Sequence, residues 1–165
     1  MPCDVRQARL GDVDVVLSIW QERPGADSDS DRTNQTAHRC DFKERIGEQD
    51  SIFQFWVATS ADTCLGWSSL QRMRSSPSLK DTMAEWSIYV TAASRAQAVG
   101  SALAAATIAH ARQSGLEWIF GFVAATNVPC ISLFERCGFD RVGKLPVPKA
   151  NPRRPEVIVF ALDVS

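Results

Sequence analysis

Gln97, Ala98, Val99, Gly100, Ser101 and Ala102 fall on the first turn of an alanine-rich helix that runs to Ala109. The first turn of a helix is suited to binding anions. Its backbone N–H groups lack partners within the helix, and the positive end of the helix dipole faces outward. A pyrophosphate fits such a place, and Gly100 lets it approach amides from which a side chain would hold it away. Just upstream, Met83–Thr91 alternates with the period of a strand, setting Glu85, Ser87 and Tyr89 on one side and Ala84, Trp86, Ile88 and Val90 on the other. A carboxylate, a hydroxyl and a phenol are thus presented one short turn before an anion site.

These residues resemble the nucleotide-binding core of the GCN5-related N-acetyltransferases, whose phosphate loop reads Q/R-x-x-G-x-G/A and is matched by Gln97, Gly100 and Ala102. Downstream, the run from Asn127 to Phe139 (NVPCISLFERCGF) resembles the family's second signature, N-x-x-A-x-x-L-Y-E-x-x-G-F. Within the superfamily the chain is most similar to the phosphinothricin and methionine sulfoximine acetyltransferases, which carry E-x-S/T-x-Y-V where this sequence has Glu85-Trp-Ser-Ile-Tyr-Val90. The resemblance implies acetyl-CoA as cofactor and Glu85 as general base. An α-amino group has a pKa near 8 and an aliphatic amine near 10, so neither attacks a thioester before losing a proton, which a carboxylate accepts directly or through water.

The same resemblance assigns the cofactor to Ser87, Ile88, Tyr89 and Val90 of the strand, to Arg95 and Gln97–Ala102 of the loop and helix start, and to Asn127, Cys130 and Phe134. Backbone N–H groups near Ser87–Tyr89 would polarise the acetyl carbonyl. Phe134 stands where the family offers a tyrosine hydroxyl to the departing thiolate, and Ala98 and Arg95-Ala96 replace glycine and arginine-glycine in the loop. Lys144, Lys149, Arg153 and Arg154 either hold an acceptor carboxylate or the cofactor's 3′-phosphate, or form a solvated charged loop. His38 is either an exposed loop side chain or an acceptor contact. Cys130 and Cys137 share one face of a short helix, where packing is expected rather than nucleophilic chemistry.

Composition narrows the remaining choices. With 165 residues, 45% of them hydrophobic, the chain suits one well-cored domain over residues 1–165. A formal net charge of −1 gives no basic field for nucleic acid or an anionic membrane. The expected partner is a small-molecule amine, and a homodimer is a further expectation. The start of the chain lacks an apolar signal region, and no run reaches the roughly 20 apolar residues of a membrane span, so a cytoplasmic protein is expected. Five scattered cysteines without a C-x-x-C pair suggest reduced thiols and no zinc site. The run Asp27–Asp31 begins like a calcium loop but places Arg32 and His38 where glycine and glutamate are required, so no metal is expected.

The positioning elements follow in order. A strand at Val5–Leu10 leads, with Asp12 as N-cap, into a helix at Val13–Gln21, and a second helix covers Ala37–Ile46. Ile52–Thr59 and Cys64–Arg72 form a hairpin, and the central strand and long helix come next. Leu116–Val123 reads as a strand buried on both faces and parallel to its neighbour. A helix at Ala125–Cys137 and strands at Phe139–Gly143 and Glu156–Asp163 complete the chain. His110 is expected at the surface, and the five tryptophans in or near the core. The fold class is mixed α/β, a central twisted, mostly antiparallel sheet with one parallel strand pair and flanking helices, as the resemblance also implies. Two rival functions are a non-catalytic acyl-CoA-binding protein and a protein or peptide N-acetyltransferase.

Overall fold

The computed structural model describes residues 3–23, 34–73, 79, 81–95 and 98–165. The acidic run Asp27–Asp31, most of the loop around Pro77, and Gln97 lie outside them. Seven strands form one sheet in the order β1-β2-β3-β4-β5-β7-β6. They are β1 (Asp4–Gln7), β2 (Phe55–Ser60), β3 (Thr63–Arg72), β4 (Met83–Val90), β5 (Trp118–Ala124), β6 (Asp140–Leu145) and β7 (Val157–Asp163). Every neighbouring pair is antiparallel except β4–β5, which is parallel. A parallel pair needs a crossover, and α3 (Val99–Gln113) supplies it. The other described helices are α1 (Val13–Gln21), α2 (Gln35–Gly47) and α4 (Val128–Arg136).

The alternation of β4 divides the molecule between two cores. Ala84 and Trp86 join Trp56, Leu70, Leu103, Ala104, Ile108, Ile131 and Phe134 on the side covered by α3 and α4. On the other side Tyr89 packs against a cluster of Val16, Leu17, Phe42, Ile46, Phe55, Val57 and Trp67, covered by α1 and α2. A buried polar chain pins α3 to the sheet. Trp86 Nε1 donates to Ser68 Oγ at 2.7 Å, Ser68 Oγ lies 2.8 Å from Thr107 Oγ1, and Thr107 Oγ1 donates to the Leu103 carbonyl at 2.9 Å. Because the Thr107 hydrogen is committed to Leu103, the Ser68 hydroxyl donates to Thr107. Each hydroxyl in the chain is therefore satisfied, as burial demands.

The β4–β5 pairing covers only Met83–Trp118, Ala84–Ile119 and Glu85–Phe120. Beyond it β4 continues to Val90 and β5 to Ala124, so the two strands bound a wedge-shaped gap whose apex is at Glu85. Phe134, 2% exposed, fills the floor of that gap. Its ring lies 4.6 Å from Trp86, 4.7 Å from Phe139 and 5.2 Å from Phe160 between centroids. The ring edge rests on Gly121, where an added Cβ would fall 2.0 Å from Phe134 Cε1. Only a residue without a side chain fits there.

Several expectations need correction. The first strand ends at Gln7, because the chain turns through a 3₁₀ segment at Leu10–Asp12. Asp12 stands at the N-cap of α1, but its side chain makes no hydrogen bond to that helix. It accepts from Arg6 Nη1 and Nη2, each at 2.8 Å, and from the Arg9 N–H, and the Arg6 hydrogen bond holds its carboxyl below the usual range. Among the described residues β5 is covered on one face only, leaving Trp118 37% and Phe122 44% exposed, since α3 and α4 lie on the opposite face. Trp56, Trp67 and Trp86 are buried, whereas Trp20 is only partly so. β6 extends to Leu145 with both faces exposed, taking Lys144 out of the loop and into an ion pair with Glu156 at 2.6 Å. His110 is half-buried, its Nε2 3.0 Å from the Ile52 carbonyl and its ring against Trp56.

The contact between Gly121 and Phe134 generates a test. Gly121→Val must displace the ring and is expected to destabilise the protein by about 3 kcal/mol, the upper end of overpacking costs. Adding Phe134→Leu should recover part of that loss, since neighbouring substitutions are not additive. Equilibrium urea unfolding of the single and double variants measures both effects.

Candidate active site

Glu85, Ser87 and Tyr89 project from β4 toward α1 and α2. Register sets Gln71 beside Glu85, Ser69 beside Ser87 and Trp67 beside Tyr89 on β3. Phe120 pairs with Glu85 across the parallel junction, so Phe120 and Phe122 of β5 share that face, the side-chain period of a strand being two. The face thus carries a half-buried carboxylate at the apex of the gap, small hydroxyls above it and an aromatic wall on the β5 side. Tyr89 packs its ring 4.6 Å from Trp67, and burial raises its phenol pKa.

Ile88 and Val90 point to the opposite side, against the α3–α4 core. Above them α3 begins at Val99 with Ala98 as N-cap, a residue with no side-chain oxygen to cap the helix. The Ala102 N–H already donates to the Ala98 carbonyl at 2.9 Å, which removes it from the expected donors. The amides of Val99, Gly100 and Ser101 belong to the turn that lacks helical acceptors. A Cβ added to Gly100 would meet Leu133 Cδ2 at 3.6 Å and Val90 Cγ2 at 3.8 Å. It would therefore point at the open end of the gap, in ordinary contact with its walls.

This arrangement fits acetyl-CoA. Uncapped first-turn amides suit a pyrophosphate, and the gap exposes β4 backbone between Trp86 and Val90 to an extended arm carrying amide groups.

The remaining expected residues have the following surroundings. Arg95 donates through Nη2 to the Glu22 carbonyl at 2.8 Å, and the Glu22 carboxylate accepts from the Ala92 N–H at 2.6 Å. That ties the end of α1 to the loop before α3. Asn127 is the N-cap of α4, its side-chain oxygen accepting from the Cys130 N–H at 3.3 Å. Gly138, at φ +87°, ends the same helix, and Phe139 returns to the core. Much of the Asn127–Phe139 signature therefore builds one short helix and seats Phe134. Burial pushes the Cys130 thiol up to about 12, so it is no thiolate nucleophile at neutral pH.

His38 lies on α2 rather than on a loop, its ring 4.4 Å from Trp20. Lys149, Arg153 and Arg154 are exposed on the β6–β7 connection. Because Val157 pairs with Ala124, that connection leaves the sheet where the gap opens, well away from Glu85 at its apex.

Arg45 was not among the expected site residues. Its Nη2 donates to Ser69 Oγ at 2.9 Å, and its guanidinium carbon lies 5.2 Å from the Phe42 ring, 5.5 Å from Phe55 and 6.0 Å from Trp67. No periodicity marks it, because it sits in a helix where only Phe42 and Ile46 are buried.

Residues 14–139 match the family described as Acetyltransferase (GNAT) family. The chain is 29% identical over 162 residues to a Bacillus subtilis (strain 168) protein provisionally named phosphinothricin acetyltransferase YwnH, covering 98% of this chain and 99% of that one. It is 28% identical over 153 residues to the L-methionine sulfoximine/L-methionine sulfone acetyltransferase of Pseudomonas aeruginosa, covering 88% and 85%. The crystal structure of a phosphinothricin acetyltransferase from Sinorhizobium meliloti in complex with AcCoA superposes with a TM-score of 0.81 at 16% identity, covering 99% of this chain and 89% of that one. With the split parallel pair, the uncapped helix start and a family match over most of its length, the chain belongs to the GNAT family of acetyltransferases.

Proposed function

We propose that this protein acetylates the α-amino group of a small amino-acid-like acceptor, with Glu85 as general base. The observation that carries this reading is the position of Glu85. It is the last β4 residue paired to β5, so its carboxylate stands at the apex of the gap, on the face opposite α3. The names of the relatives support the acceptor class, since phosphinothricin and methionine sulfoximine are amino acids.

Acetyl-CoA, when bound, supplies a thioester carbonyl open to attack and a thiolate able to leave. The Val99–Ser101 amides would hold its pyrophosphate, and the Ile88 N–H, which faces the gap while Ser87 and Tyr89 pair with β3, would donate toward the carbonyl oxygen. Glu85 takes a proton from the acceptor ammonium, directly or through water, and the freed nitrogen pair forms the C–N bond as the C–S bond breaks. Phe134 offers no proton to the leaving sulfur. A thiol pKa near 8.5 lets it leave without an acid, and the proton comes from solvent. No step uses a cysteine.

Glu85→Gln keeps the shape of the side chain and removes its basicity. It should lower kcat by 10²–10⁴-fold with acetyl-CoA affinity unchanged. Initial rates of thiol release with L-methionine sulfone as acceptor, alongside calorimetry with acetyl-CoA, measure the two effects. A loss below about threefold would return Glu85 to a structural role. A wild-type protein that binds acetyl-CoA but turns over no amine would be an acyl-CoA-binding protein instead.

Gly100 offers a second test. Gly100→Ala should leave the fold intact and stabilise it by about 0.5–1 kcal/mol, the helix preference for alanine. Gly100→Val puts branches into the open end of the gap and should weaken acetyl-CoA binding by about tenfold, roughly 1.4 kcal/mol. Unchanged calorimetric affinity in a folded Gly100→Val protein would remove that end of the gap from the cofactor site.

A further inference from the structure

Arg45 is held in a way that fold stability does not explain. Its side chain is only 20% exposed, and its buried Nε has no hydrogen-bond partner among the described residues. Burial pulls the guanidinium pKa down, and the charges of Asp41, then of Glu85 and Tyr89, oppose that shift. The Asp41 contact is long, at 3.4 Å from Nη1, and that carboxylate is mostly exposed. A guanidinium has five donors. Here one goes to Ser69 and one loosely to Asp41. Sinking a charge among three rings with a donor left over costs stability that an apolar residue would not.

Placement points to a use. Ser69, which receives Nη2, is the cross-strand partner of Ser87, and Ser87 lies between Glu85 and Tyr89 on the same face of β4. Odd positions along a strand are about 7 Å apart, the scale of one α-amino acid held by hydrogen bonds at its amine and at its carboxylate. Among the described residues, Arg72 at this end of β3 is already engaged, pairing with Asp81 and Asp50 over the Phe53 ring. Lys149, Arg153 and Arg154 stand at the open end of the gap.

We infer that Arg45 is the specificity residue that binds the acceptor's carboxylate, through Nη1 and Nη2, and so presents the α-amine to Glu85. The inference rests on the proposed acetyl transfer and adds the group by which the acceptor is recognised. A planar guanidinium and a carboxylate match in two parallel hydrogen bonds, which an acceptor carboxamide does not reproduce with the same charge. The site therefore selects amino acids over amines that lack the carboxylate.

The test compares L-methionine sulfone with its carboxamide, which keeps the amine and removes the negative charge. Wild-type kcat/KM should favour the acid by about 10- to 100-fold, the range for losing a charge-assisted hydrogen bond. In Arg45→Gln the acid should lose that factor, mainly through KM, while the carboxamide stays within threefold and KM for acetyl-CoA is unchanged. Arg45→Lys should recover part of the preference. Equal losses for acid and carboxamide in Arg45→Gln would make Arg45 a structural residue, and a wild type that treats the two alike overturns the inference without any variant. Calorimetry of each ligand with the CoA-saturated wild type separates this inference from the proposed reaction. Binding of the acid in preference to the carboxamide without turnover keeps the carboxylate site and removes the reaction. Turnover of both at similar kcat/KM keeps the reaction and removes the carboxylate site. Absence of both binding and turnover of the acid overturns the inference.

Discussion

The ring of Phe134 lies on the bare backbone of Gly121 where β5 leaves β4, and this contact sets the shape of the protein. Two parallel strands would ordinarily continue their ladder, because unpaired backbone groups inside a protein are costly. Here an aromatic cluster of Trp86, Phe134, Phe139 and Phe160 occupies the ground beneath the split. The ring stays there because position 121 has no side chain and because α4, capped by Asn127 and ended by Gly138, presents Phe134 at the right height. The open backbone of β4 above Glu85 is the result. Both the proposed cofactor and the proposed base depend on that opening.

A second constraint keeps α3 in place over the gap. The run of donors from Trp86 through Ser68 and Thr107 to Leu103 has one direction, so α3 cannot rotate on the sheet without leaving a buried hydroxyl unpaired. The helix is rich in alanine and has few bulky side chains to fix its rotation by packing alone. This polar chain supplies the orientation that places the first turn over the mouth of the gap.

How much of this was legible in the sequence depended on periodicity. β4 and the body of α3 are legible, since strict alternation and a small-residue helix are strong local signals, but the helix starts at Val99, later than the expected first turn from Gln97. β5 was misjudged because a nearly continuous apolar run suits burial on two faces, yet Phe122 and Trp118 remain on the uncovered one. β6 past Gly143 carried no signal, since a strand open on both faces has no pattern to follow. Asp12 does stand at the N-cap of α1, but Arg6, six residues earlier, takes its carboxylate. Arg45 was invisible for the same reason on a larger scale. Its meaning comes from Ser69, 24 residues away, and from rings on other elements, within a helix that reads as solvated.

Alternation on β4 also has a bearing on how such a protein diversifies. Even positions face the core that shapes the gap, and odd positions face the proposed acceptor site. Under the proposed function, drift at Ser69, Ser87 or Phe122 would change the acceptor face without disturbing Trp86, Phe134 or the start of α3. The proposed donor and acceptor sites lie on opposite sides of one strand, so selection could revise the second and leave the first in place. A single scaffold can in this way give rise to a lineage of enzymes that share one donor and differ in what they modify.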